Sequence, residues 1–113
     1  MNKQYVSPDG VLRLIVLVEG ADWIIGFDGY PWHTHGDILT GSAGESAEAR
    51  TEKFVDALLS NRKLIAVLKD GDCVTDVWVT EDPAQDARNL TETERVEFRY
   101  WDGTQVQPVV REV

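Results

Sequence analysis

The sequence predicts a two-layer α+β domain, a largely antiparallel sheet of about six strands in the order ββαββββ with one amphipathic helix laid on it. Three observations lead there. Four Asp-Gly pairs, at Asp9-Gly10, Asp28-Gly29, Asp70-Gly71 and Asp102-Gly103, punctuate the chain, and this pair favours tight turns because both residues tolerate positive φ. The segments around them are short and rich in branched and aromatic side chains. The stretch from Glu45 to Lys63 has no Gly or Pro and repeats its apolar residues at helical spacing. At 113 residues the chain suffices for one core and is too short for two, so residues 1–113 are read as a single domain.

Each element follows in order. Val11 to Val18 and Trp23 to Phe27 flank the polar break Glu19-Gly20-Ala21-Asp22 and form a first hairpin. The helix runs from about Ser46 to Asn61, with Ala47, Thr51, Phe54, Val55 and Leu58 on its apolar stripe and Phe54, Val55 and Leu58 pointing inward. Ser42 with Glu45 has the spacing of a capping box, Ser46 is a competing cap, and Asn61 is the stop signal. Leu64 to Leu68 with Val74 to Val79, and Arg95 to Trp101 with Gln105 to Val110, make two further hairpins. Val96, Phe98 and Tyr100 alternate with Glu97 and Arg99, the signature of a strand with one wet face. Pro108 cannot donate to a ladder and assigns the last strand to an edge. Glu81 to Glu94 is polar and reads as a surface connection.

Composition narrows the function. An apolar fraction of 42% and a charged fraction of 27% are ordinary for a globular protein. The longest apolar run, Leu14 to Val18, is far too short for a bilayer, and Met1 to Pro8 lacks the apolar run of a secretory signal, so no membrane association and a cytoplasmic location are the default expectations. Cys73 is the only cysteine, which excludes an internal disulfide and a cysteine-based zinc cluster and makes a small core residue the expectation. Twenty acidic against eleven basic residues give a formal charge of -9, which repels a phosphate backbone and disfavours nucleic acid. The same charge suits a basic protein partner, and a homo-oligomer stays open.

The segment Asp28 to Gly44 exceeds the usual loop length and contains both histidines. On extended chain His33 and His35 leave from one face, and Asp37 continues the row if Gly36 does not break it. Two imidazoles and a carboxylate suit zinc or another divalent transition metal, with a position left for water. The alternative is structural: Trp32 packs on the sheet or helix while the histidines hydrogen-bond to loop backbone. His33-Thr34-His35-Gly36 followed by Ser42 and Glu45 resembles, in part, the His-x-His-Pro, Ser and Asp signature of the JAMM metalloproteases. Gly36 stands in place of the proline, Glu45 in place of the aspartate, and the interval to Ser42 is a residue short, so membership does not follow. There is no Gly-rich phosphate loop and no Gly-x-Ser-x-Gly elbow, and whether the protein is an enzyme stays open.

Two further surfaces stand out. Tyr30, Trp32, Trp78, Tyr100 and Trp101 would form a contact patch or pocket if they converge; core packing is the alternative, for Trp78 and Tyr100 in particular. Glu45, Glu48, Glu52 and Asp56, at helical intervals, form an acidic stripe beside the apolar face, either an ordinary solvated face or a contact for a basic partner. The favoured expectation is a small acidic protein-interaction module, an inhibitor of or adaptor for a basic partner, needing no cofactor. Immunity proteins that block basic bacterial toxins illustrate this class, although no motif here ties the chain to them. The alternatives are a metal-binding protein or metal-dependent hydrolase using His33, His35 and Asp37, and a small-molecule binder using the aromatic residues.

Overall fold

The computed structural model describes residues 2–107 and shows an α+β protein with two antiparallel four-stranded sheets and one main helix. The first sheet has the order β1 (Lys3–Val6), β2 (Arg13–Glu19), β3 (Asp22–Phe27) and β4 (His33–His35). After it come a 3-10 turn at Gly36–Ile38 and the helix α1 (Ala47–Leu59). The second sheet orders β5 (Leu64–Asp70), β6 (Cys73–Thr80), β7 (Glu94–Arg99) and β8 (Gln105–Val106) as β6-β5-β7-β8. Among the described residues no helix is long and apolar enough to cross a membrane.

All four Asp-Gly pairs sit at turns, with Gly10, Gly29, Gly71 and Gly103 at positive φ. The three expected hairpins form, as β2/β3, β5/β6 and β7/β8. Two strands are additional to the six anticipated. β1 is short and mostly polar, Lys3-Gln4-Tyr5-Val6, and gives no periodic apolar signal. β4 lies inside the segment read as a loop and pairs with β3 over three residues. The division into two sheets also goes beyond the sequence, because periodicity says that a segment is a strand but not which edge it joins. At the junction, the residue preceding β4 meets β6, the Trp32 amide donating to Asp76 Oδ1 at 3.3 Å. β8 occupies an edge, as expected for the last strand; Pro108, which carried that argument, and the rest of the strand drawn to Val110 lie outside the described residues.

The inner faces of both sheets and the helix share one core. Leu14, Val16, Ile25 and Phe27 come from the first sheet, Ile65, Val67 and Val77 from the second, and Val55 and Leu58 from α1. Ser46 caps α1, its hydroxyl accepting the Ala49 amide at 3.1 Å, and Asn61 at φ 60° follows the helix end. Ser42 and Glu45 bond to each other one turn upstream, so they shape the approach to the helix and not its first turn. Phe54, expected inward, is only partly buried. Cys73, expected in the core, is exposed at the start of β6. Glu81 to Glu94 is a connection at the surface that includes the short helix α2 (Pro83–Asp86), anchored where Asp86 accepts from Trp78 Nε1 at 3.1 Å and from the Thr80 hydroxyl.

A polar network ties the two sheets. Arg99, only 8% exposed at the end of β7, donates through Nη1 and Nη2 to the two Asp9 carboxylate oxygens at 2.7 and 3.2 Å. Its remaining donors reach the Trp101 and Tyr100 carbonyls, both at 3.1 Å. The Ser7 hydroxyl donates to Asp9 at 2.6 Å and accepts the Leu12 amide at 2.9 Å. The Arg99 guanidinium, then the Ser7 hydroxyl, hold the Asp9 carboxyl well below the usual carboxylate range.

Candidate functional site

Helix α1 has two unlike flanks, and the acidic one borders an apolar groove. Glu48, Glu52 and Asp56 are exposed and four residues apart, so they line one side of the helix. Beneath Glu52 and Asp56 a groove of about 220 Å³ opens between the helix and the first sheet, floored by Tyr5, Trp23, Val55 and Leu59. Tyr5 on β1, Val16 on β2 and Trp23 at the start of β3 come together there beside α1, and Tyr5 and Trp23 are only partly buried. Lys3 is the single cation on its lining. Asp56 also accepts from Arg62 Nη2 at 2.7 Å, an exposed pair that holds little energy.

Glu45, grouped with this stripe by spacing, does not join it. It precedes the helix, pairs with Lys53, and its other oxygen accepts the Ser42 amide at 2.8 Å. Those contacts, Lys53 first, hold its carboxyl below the ordinary value. The helical rule fails there because it applies only once the backbone is helical, and the chain turns at Ser46.

The histidines occupy a different face. On β4, His33 and His35 leave from one side as extended chain requires, their ring centroids 5.3 Å apart. His33 Nδ1 lies 3.2 Å from the Pro31 carbonyl, and His35 Nδ1 lies 3.0 Å from Asp22 Oδ1. Asp37 does not continue their row: it falls in the 3-10 turn that ends the strand, although it borders the same depression as His35 and Asp22. That turn is fixed by close packing of Gly36, whose Cβ, if present, would lie 2.7 Å from the Ala47 carbonyl. Among the described residues no three His, Cys, Asp or Glu side chains are placed to hold a metal ion. Ser42 and Glu45 are engaged with each other, Arg50 and Lys53, and so are not part of a histidine cluster.

Of the five aromatic residues, Tyr30 and Trp32 line a surface groove without Trp78, Tyr100 or Trp101. Trp101 is 5% exposed and belongs to the core, a correction to its expected place on a contact surface. Trp78, on β6 of the second sheet, bonds to Asp86 of α2. Tyr30 and Trp32 border a shallow groove of about 210 Å³ on the outer side of the first sheet, near Ile15, Leu17 and His33. Trp32 packs against Phe27, ring centroids 6.0 Å apart, as the structural alternative for that loop expects. The residues that sequence reasoning missed are Tyr5, Trp23 and Leu59. The Asp9-Gly10 turn signal implies a strand before it as well as after, and following it would have placed Tyr5 on that strand. Comparison of the chain with protein-family models, with curated proteins and with solved structures gave no match.

Proposed function

We propose that the protein is an interaction module that binds a basic segment of a partner protein in the groove between α1 and β1. The observation that carries this reading is the pairing of an apolar, aromatic floor with a carboxylate rim: Tyr5 and Trp23 below, Glu52 and Asp56 above, with Glu48 extending the negative flank. Such a surface suits alternating basic and apolar side chains, the charges adding steering and the aromatic floor most of the affinity. β1 is also an edge strand, so its outer backbone groups suit pairing with an added extended segment. The formal charge of -9 works in the same direction over longer range.

The test is a nuclear magnetic resonance titration with a short peptide alternating arginine and leucine, set against its glutamate-leucine counterpart. Saturable shifts at Tyr5, the Trp23 indole and Val55, weakening with salt and lost in Glu52→Lys with Asp56→Lys, are the expected result. Equal shifts with the acidic peptide, or shifts located elsewhere, would refute it.

A second reading, metal binding, rests on the orientation of the histidines. Each Nδ1 faces an oxygen acceptor, so in the neutral ring the proton sits on Nδ1 and the lone pair on Nε2, the arrangement in which outer carboxylates and carbonyls orient metal-binding imidazoles. The described residues contribute two such ligands, and water or a partner would have to complete the shell. Zinc titration by calorimetry of wild type and of His33→Ala with His35→Ala decides it: equal heats in the two proteins would remove the metal.

A further inference from the structure

We propose that the depression on the basic flank of α1 is a binding site for a small amphipathic anion, a carboxylate or phosphate head carried on an apolar body. This site is separate from the acidic groove, on the other side of the same helix. It has a volume of about 430 Å³, within the range of small-molecule sites.

Its charge is inverted relative to the protein. Carboxylates outnumber bases twenty to eleven in the chain, yet the charged residues lining this depression are Arg50, Lys53 and Lys63 against Glu81 alone. Arg50, Lys53 and Phe54 fall on one side of the helix by their spacing, while Glu52 and Asp56 fall on the other.

The cations differ in how far they are compensated. Lys53 is paired with Glu45. Arg50 is held by two backbone carbonyls, Nη1 donating to Leu39 at 3.0 Å and Nη2 to Ser42 at 3.1 Å. These bonds fix its plane but supply no countercharge, and its Nε is buried without a hydrogen-bond partner. Lys63 stands 5.2 Å over the Phe54 ring. Neither Arg50 nor Lys63 has an ion-pair partner among the described residues. Arg50 shares the field of the Glu45 carboxylate that pairs with Lys53, so Lys63 is the cation left without a neighbouring carboxylate partner. With Arg50 and the partly buried Phe54 ring it forms an amphipathic receptor in which the anionic head is drawn to Lys63 first and Arg50 second, and the apolar body covers Phe54 and Leu39. Partial burial of the head strengthens its attraction to both cations relative to water.

The experiment uses the whole chain and two anionic probes, phenyl phosphate and benzoate, with benzylamine, benzyl alcohol and inorganic phosphate as controls. Backbone and aromatic resonances are followed by nuclear magnetic resonance. The expected result is saturable shifts at Thr34, Thr40 and Phe54 with both aromatic anions, and weaker or no response to each control. Lys63→Gln, at a side chain whose contact with the rest of the described fold is the Phe54 ring, is expected to weaken binding about tenfold, and Lys63→Glu to remove it. Arg50→Gln provides an independent variant if its resonance spectrum stays native. Absence of saturable shifts with either anion, an equal response to benzylamine or benzyl alcohol, inorganic phosphate binding as tightly as phenyl phosphate, or unchanged binding in Lys63→Glu would each overturn the proposal.

Discussion

Asp9→Asn is the sharpest probe of what joins the two sheets. The substitution keeps the shape of the side chain and one acceptor oxygen but removes the charge that faces Arg99. Arg99 cannot escape to water, being 8% exposed, and would keep only the Tyr100 and Trp101 carbonyls as full partners. Removing one partner of a fully buried ion pair costs about 3–5 kcal/mol, whereas exposed pairs contribute about 0–1 kcal/mol. The Asp9 side chain is 32% exposed, which allows partial screening. A destabilisation of about 2 kcal/mol at neutral pH follows from placing the pair between those limits. Equilibrium urea unfolding, followed by tryptophan fluorescence, measures it.

The pH dependence supplies an internal control. The folded pKa of Asp9 is lowered from an ordinary 3.8, chiefly by the hydrogen bond to Arg99, so the unfolded chain takes up the proton first as pH falls. The stabilisation is therefore complete above the unfolded pKa and is lost as pH drops below it toward the folded value. The gap between wild type and Asp9→Asn should be full at pH 7 and shrink on acidification below about pH 4. A gap under about 0.5 kcal/mol at pH 7, the range of ordinary surface substitutions, would refute the reasoning. So would a gap of constant size from neutral to acid pH.

Other outcomes follow from the packing. Leu58→Ala, at a side chain with no exposed area, should cost about 2–5 kcal/mol in the same unfolding assay, and a loss under 1 kcal/mol would mean that α1 does not anchor the core. Phe54→Ala should cost clearly less than the roughly 3–5 kcal/mol of a fully buried phenylalanine, because its ring is only partly covered; equal losses at Phe54 and Leu58 would contradict that placement. Gly36→Ala forces a methyl group against the Ala47 carbonyl and the Thr51 side chain, so a loss of about 1–3 kcal/mol is expected, measured by thermal unfolding, and an unchanged midpoint would count against the close approach of the turn to α1.

The sequence by itself determined the elements whose signals are local. Asp-Gly turns mark their positions because turn propensity is a property of two residues. The helix, read from about Ser46 to Asn61 and observed from Ala47 to Leu59, is legible because its apolar repeat, two candidate caps and the Asn61 stop lie within one short segment; the structure chose Ser46 over the Ser42-Glu45 box. The common face of His33 and His35 was likewise readable, since alternation is built into extended chain. Asp37 left that row because Gly36 packs against the helix, a contact between segments that no spacing encodes. Tertiary structure alone decided that Trp101 is core and Phe54 only half so, that Glu45 turns away to Lys53, and that Tyr5 and Trp23 meet the acidic side of α1. It also decided the separation into two sheets and the pairing of Asp9 with Arg99 across ninety residues of chain. The physical reason is the same throughout: periodicity and turn chemistry fix which way a side chain leaves its own segment, while burial and charge compensation depend on which other segment arrives opposite it.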